Sequence, residues 1–176
     1  MAGNRLGRAL IVGGTGMLAA ASGYVAARSA HTTLVSRAPS KTAELLGTDA
    51  VALDWADRDA ALATVAALPE ADFLLSWLHD GGTWLARPLE DRLISGGRSI
   101  RVHGSNSRDP AVRARRDPDP RRDVRRQTVI LGWVAEPGGV RWLAHDEICA
   151  AVIRAIETPA EETVVAGTLD GSSPAR

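Results

Sequence analysis

The apolar residues of this chain gather in short unbroken runs separated by stretches of helical period. The runs are Ala9–Val12, Thr32–Ser36, Ala50–Leu53, Phe73–Trp77, Ser99–His103 and Thr128–Val134. Such runs lack in/out alternation, which marks strands covered on both faces, as in a parallel sheet. Between them, Leu18, Ala21 and Val25 fall on one helical face, with Tyr24 beside it. Lys41–Leu46 makes a short helix closed by Gly47, and Leu62, Val65 and Leu68 stripe a helix over Asp59–Leu68. Trp84, Leu85, Leu89 and Leu93 predict a further helix, begun or kinked near Pro88 and ended by Gly96-Gly97. Ile148, Val152, Ala155 and Ile156 give the final helix its core face, with Asp146 and Glu147 in its first turn and Cys149 buried alongside. Thr163–Gly167 adds an edge strand. Strand and helix alternate throughout, which predicts a single doubly wound, Rossmann-like α/β domain over residues 1–170, with a mostly parallel sheet of about six to seven strands. The expected strand order is 3-2-1-4-5-6 with the added edge, and residues 171–176 are expected to form a loose tail.

The first strand empties into Gly13-Gly14-Thr15-Gly16, and helix-favouring sequence follows from Met17. Glycines here permit backbone angles and approaches that a side chain blocks. The free N–H groups at the helix start, with the positive dipole end, suit a phosphate. In the spacing Gly13-x-x-Gly16-x-x-Ala19, the third small residue lets helix pack on strand. The second strand follows within about 30 residues, the length of a dinucleotide-binding β-α-β unit. A glycine-rich connection without a ligand is the plainer alternative.

At the end of the second strand, an acidic residue would bond the ribose of NAD, but this chain has Ser36-Arg37 and then Ser40-Lys41. Two cations and two hydroxyls suit an additional 2′-phosphate, so the expected cofactor is NADP rather than NAD. Arg37 and Lys41 also read as ordinary solvated charges. The third strand ends in Asp54-Trp55, where the carboxylate has two roles open to it: accepting a bond from adenine, or, like Asp57, starting the next helix.

Leu78-His79-Asp80-Gly81-Gly82 follows the fourth strand, which lies beside the first where the strand order reverses. Ligands of open α/β sheets bind outside the strand carboxyl ends at that reversal. His79 stands there as a proton or hydrogen-bond donor, or as a loop-lining residue. His103 and Ser105, with Ser107, collect likewise at the end of the fifth strand.

Composition narrows the partners. The 176 residues carry no net charge, so no global field draws the chain to nucleic acid or membrane. One cysteine leaves no internal disulfide, no multi-cysteine metal site is available, and no run is long enough to span a bilayer. A cytoplasmic protein is expected. Arg108–Arg126 holds eight arginines, four aspartates and three prolines in 19 residues. The interleaved acids, the prolines and the absence of aromatic residues favour a solvated, partly mobile excursion over a nucleic-acid surface.

Taken together, the glycine turn with Met17-Leu18, Ser36-Arg37, Leu53-Asp54, Gln127-Thr-Val-Ile-Leu-Gly-Trp133 and Arg141-Trp-Leu-Ala-His-Asp-Glu-Ile148 resemble the short-chain dehydrogenase/reductase superfamily, in a small divergent bacterial group. The resemblance covers roughly residues 8–168 and implies that Gly13, Thr15, Gly16, Met17 and Leu18 hold pyrophosphate. Ser36 and Arg37 would hold the 2′-phosphate, and Asp54 with Trp55 the adenine. It also suggests a homo-oligomer. The superfamily's Tyr-x-x-x-Lys pair is missing: Tyr24 and Lys41 are the sole tyrosine and lysine, and neither has the other at that spacing. Ser105 or Ser107 resembles its serine position, and Ala144 replaces an expected capping threonine. Three functions follow: an NADP-dependent oxidoreductase acting on an unidentified small molecule through His79, His103 or Ser105; a non-catalytic NADP(H)-binding sensor or regulatory module; and, last, a nucleic-acid binder through Arg108–Arg126.

Overall fold

The computed structural model describes residues 6–109, 112 and 121–170. The expected tail and much of the arginine-rich segment lie outside them. Strands β1 (Arg8–Val12), β2 (His31–Ser36), β3 (Asp49–Ala52), β4 (Ala71–Trp77), β5 (Leu93–Gly104), β6 (Arg125–Leu131) and β9 (Thr163–Ala166) form one sheet. Its order is β3-β2-β1-β4-β5-β6-β9, with every pairing parallel. This is the predicted doubly wound arrangement with its added edge strand. The helices are α1 (Ala19–Ala26), α2 (Ser40–Leu46), α3 (Arg58–Ala67), α4 (Ala86–Glu90) and α5 (His145–Glu157).

Alternate residues of β1 supply two cores. Ala9 and Ile11 face α1 and α5 through Leu18, Val25, Ile148 and Val152, while Leu10 and Val12 face α3 and α4 through Val65, Leu85 and Leu89. Both faces of the sheet are thus covered, which is why its strands read as continuous apolar runs. Burying each such side chain contributes about 1.5–3 kcal/mol.

Three expectations are corrected. Leu93 does not end a helix. A 3₁₀ turn (Asp80–Leu85) and the short α4 finish before it, and Leu93 opens β5. Gly96 and Gly97 mark an irregularity inside that strand, with φ +79° at Gly96, and the register slips where β5 meets Ala71 and Phe73.

The run Thr128–Val134 is not one strand. β6 stops at Leu131, and the chain turns into a hairpin of β7 (Trp133–Glu136) and β8 (Gly139–Trp142). A Cβ on Gly132 would lie 2.1 Å from the Thr168 carbonyl oxygen, so glycine is required where these backbones meet. Trp133 N and Thr168 N each donate to the other's carbonyl, at 3.1 and 2.8 Å.

The third correction concerns the arginine-rich stretch, whose last residues are anchored rather than solvated. Val124 is buried, and Arg121 donates to the carbonyls of Glu90 and Leu93 at 2.9 and 2.6 Å. The wholly buried Glu90 carboxylate pairs with Arg101, at 2.9 Å, and with Arg126. A buried acid held by two guanidiniums cannot lose a partner without leaving a desolvated charge.

Candidate functional site

Two clefts open at the carboxyl ends of the strands and meet where β1 and β4 adjoin. The first, about 540 Å³, is lined by Gly13, Thr15, Gly16, Met17, Ser36, Arg37, Ala38, Trp55, Trp77, His79 and His145. The second, about 510 Å³, lies toward β5 and β6. It shares Met17, Trp77 and His79 with the first, and adds Leu78, Asp80, His103, Gly104, Ser105, Asn106, Leu131, Gly132, Trp142, Leu143 and Ile148. The strand-order reversal creates this crevice, since helices on opposite faces diverge there.

The glycines of the turn serve different ends. Gly13 has φ +76°, and a Cβ there would lie 2.3 Å from the Trp77 carbonyl oxygen, so the fold itself demands glycine. Gly14 is hemmed in by Ser22 and Ile11, and its carbonyl accepts from Ser22 Oγ at 2.9 Å. Gly16 has nothing within 4 Å of a Cβ position and no positive φ. Its missing side chain is unexplained by the protein's own packing and leaves the cleft open. Helix α1 begins at Ala19, two residues later than expected from Met17, after a turn closed by Ala19 N donating to the Gly16 carbonyl at 2.9 Å. Leu18, at its N-cap, gives no side-chain cap, and no acidic residue occupies the first turn. That leaves the positive end of the helix to an external acceptor.

The side chains of two of the expected cofactor residues have contacts of their own within the fold. The Leu18 side chain is wholly buried in the core under α1 and is not part of the cleft lining. Asp54 is exposed and accepts from Ala56 N at 3.0 Å in a local turn, and Asp57 caps α3 by accepting from Ala60 N at 3.1 Å. Of the alternatives at this strand end, helix initiation belongs to Asp57. Trp55 leans across the cleft onto Gly82, where a Cβ would come within 3.1 Å of the indole, and Arg37 lies 5.8 Å above its ring.

Ser36 is the most telling polar group. Its side chain is buried, it lines the first cleft, and its Oγ has no hydrogen-bond partner. Leaving a buried hydroxyl unpaired costs about 1–3 kcal/mol. An acceptor or donor entering the cleft beside Arg37 would remove that cost.

At the junction, His79 accepts a hydrogen bond at Nε2 from Trp77 Nε1, at 3.2 Å. The two rings meet edge to face with centroids 5.5 Å apart, and the Trp55 ring centroid lies 6.3 Å from His79. His103, Ser105 and Asn106 line the second cleft from the end of β5, so all three sequence candidates for chemistry share one space. Ser107 is wholly buried and does not line it.

Tyr24 and Lys41 do not reach this space. Tyr24 Oη donates to Glu157 Oε1 at 2.6 Å, at the far end of α5 from the cleft. That bond, helped by burial, pushes the phenol above its ordinary pKa, the wrong direction for a proton donor near neutrality.

Sequence reasoning missed His145, which lines the first cleft from the start of α5, and the apolar wall of Trp142 and Leu143 in the second. A poorly capped helix start was the one available signal. Ala144 offers no side-chain acceptor, and Glu147 closes the turn instead by accepting from Ala144 N at 2.8 Å. Arg141 holds that carboxylate at 2.8 and 3.0 Å while also gripping Glu136 of the hairpin at 2.7 Å. Its two bonds hold the Glu147 carboxyl down to about 2. Helix start and hairpin are thereby fastened together beside the crevice.

Neither a protein-family model nor a curated protein matches the sequence. Solved structures match the fold. The complex of BdcA with NADPH is 16% identical with TM-score 0.62, over 97% of this chain and 98% of that one. A citronellol catabolism dehydrogenase from Pseudomonas aeruginosa is 20% identical with TM-score 0.62, over 91% and 93%. A gluconate 5-dehydrogenase from Burkholderia cenocepacia, in complex with NADP and tartrate, is 17% identical with TM-score 0.63, over 93% and 96%. The fold is therefore similar to that of these two dehydrogenases and of BdcA, and the gluconate 5-dehydrogenase and BdcA were solved with NADP and NADPH. Among the described residues no helix is long and apolar enough to cross a membrane.

Proposed function

We propose that the chain binds NADP(H) in the first cleft and that the second receives a small carbonyl or alcohol substrate, making the protein an oxidoreductase with a non-standard active site. The observation that carries the cofactor assignment is Ser36 Oγ, buried and unpartnered in the cleft next to the exposed Arg37. A hydroxyl and a guanidinium side by side match a 2′-phosphate, which supplies acceptor oxygens and charge to both. The open face of Gly16 and the uncapped start of α1 suit a pyrophosphate. When bound, the nicotinamide supplies the hydride. The chain's part is to hold the substrate oxygen and exchange a proton with it, and His79, His103 and Ser105 are the groups in place.

A second reading, an NADP(H)-binding sensor without turnover, is favoured by the placement of Tyr24 and Lys41 away from the crevice. Both readings predict that NADPH quenches tryptophan emission, because Trp55 and Trp77 line the first cleft. Absence of any quenching or binding removes both. Binding together with turnover in a panel of carbonyl compounds, lost on His103→Ala or Ser105→Ala, supports the enzyme. Binding without turnover supports the sensor.

A further inference from the structure

We propose that His79 presents Nδ1–H as a hydrogen-bond donor to a carbonyl-type oxygen where the two clefts meet, and that Trp77 is the positioning residue that sets its tautomer. This rests on the reading that a dinucleotide and a carbonyl compound meet at that junction. The argument begins with an asymmetry of hydrogen-bonding chemistry. An indole N–H donates and never accepts. Trp77 Nε1 points at His79 Nε2 across 3.2 Å, so Nε2 must keep its lone pair. A neutral imidazole with a bare Nε2 carries its proton on Nδ1.

The His79 side chain is exposed and has two indoles as ring neighbours. Trp77 meets it edge-on at 80°, and the Trp55 ring lies 6.3 Å away, tilted at 43°. Only Leu78 separates His79 from the last residue of β4, so its backbone is set by the sheet. No described group bonds Nδ1, and His79 lines both clefts. The result is a donor aimed by aromatic walls rather than by a carboxylate. Such a donor suits a carbonyl oxygen. Proton exchange with the substrate then belongs to His103 or Ser105, and His79 holds the oxygen without giving up its proton.

Two oxygens have this chemistry: the nicotinamide carboxamide and the carbonyl of the substrate. Isotope-edited NMR of the imidazole nitrogens in the ligand-free full chain tests the tautomer directly. The expected result is a protonated Nδ1 and a bare Nε2 at alkaline pH, replaced by a tautomer mixture in Trp77→Phe that is otherwise folded by circular dichroism. A protonated Nε2 in the wild type, or no change in Trp77→Phe, overturns the proposal. If Trp77→Phe does not fold, the side-chain series at His79 decides. Asn places its amide N–H where Nδ1–H lies, and Gln places it where Nε2 lies. His79→Asn should retain function, while His79→Gln and His79→Ala should lose about tenfold, the worth of one hydrogen bond. A loss in NADPH affinity assigns the carboxamide, and a loss confined to kcat/KM with carbonyl substrates assigns the substrate. Equal behaviour of Asn and Ala in both measurements overturns the proposal. Failure of NADPH to bind the wild type would instead remove the functional reading, leaving the tautomer result standing.

Discussion

At the scale of single residues, the two outer glycines of the turn separate folding from binding. Ala at Gly13 would require a side chain at φ +76° with its Cβ 2.3 Å from a backbone oxygen. Gly13→Ala should therefore lose stability by about 1–3 kcal/mol from the dihedral alone, with the clash adding to it. Gly16→Ala meets no protein atom within 4 Å, so its thermal midpoint should match the wild type. Its methyl enters the proposed pyrophosphate space, and NADPH affinity should fall about tenfold or more. Melting curves and fluorescence titration of the pair check both halves of the contrast. Ser36 allows a second division. Removing its unpartnered hydroxyl by Ser36→Ala should leave the ligand-free protein as stable or slightly more so, because an unmet buried group costs about 1–3 kcal/mol. NADPH affinity should drop while NADH affinity holds. Arg37→Ala should do the same by roughly ten- to a hundredfold, as expected for a charge-assisted bond of about 1.5–3 kcal/mol. An NADPH preference that survives both substitutions would contradict the 2′-phosphate assignment. The sequence made this pair visible because the acidic residue expected for NAD was replaced by serine and arginine on one strand end. The family resemblance also assigned Leu18 and Asp54 to the cofactor, but spacing alone does not say which way a side chain turns at a helix start or in a turn, and the Leu18 side chain turns into the core.

Among the elements, α5 illustrates how secondary structure near the crevice is fastened. Its N-terminus depends on Glu147, which accepts from Ala144 N and from Arg141. Its C-terminus is closed by the buried Arg98, which donates to the carbonyls of Ala155 and Ile156 at 2.6 and 3.0 Å and to Gln127 at 2.7 Å. Burial pushes that guanidinium down to about 10, so it remains a cation at neutral pH, and a cation is what a helix C-terminus favours. The Glu147 pair carries a pH signature. Its folded pKa, about 2, lies below the ordinary 4.5, so the contribution is complete above 4.5 and is lost as pH falls from 4.5 toward 2. Glu147→Gln should flatten the acid dependence of the melting temperature in that window, as measured between about pH 5 and about pH 3. The elements themselves were largely legible, since buried parallel strands announce themselves as apolar runs. The errors came where glycine had two meanings. Gly96-Gly97 looked like a helix stop and is a strand irregularity, while Gly132, read as part of a strand, permits the break that starts the hairpin. Local sequence cannot distinguish these, because the carbonyl that excludes a Cβ at Gly132 belongs to Thr168.

At the scale of the whole molecule, the first cleft was predictable, whereas of the second only the part at the ends of β4 and β5 was. The first follows from topology: once β1 and β4 adjoin, their carboxyl ends and that of β2 must frame a crevice. The second is closed by Trp142 and Leu143, contributed at the end of a hairpin whose turn at Glu136–Gly139 was readable but whose two short strands no apolar run marked. Its walls come from segments far apart in the chain, so only their assembly reveals it. The same assembly predicts how a ligand acts on the fold. The first cleft draws on β1, β2, the connections after β3 and β4, and the start of α5, so a bound dinucleotide would join both ends of the polypeptide. Binding to the folded state alone stabilises it by about 2.7 kcal/mol at a hundredfold excess over Kd. For a domain of this length, roughly 2–4 °C per kcal/mol gives a rise in melting temperature of about 5–10 °C. NADPH should produce that rise, and NADH at the same concentration should produce less, in proportion to the logarithm of its weaker affinity. Trp55→Ala separates a cleft ligand from a nonspecific anion effect. Its indole spans the first cleft from Arg37 to Gly82, so its loss should cut the NADPH shift while leaving untouched any shift caused by inorganic phosphate. Equal shifts for NADPH, NADH and phosphate would mean that charge alone is being sensed and that the cleft is not reading a dinucleotide.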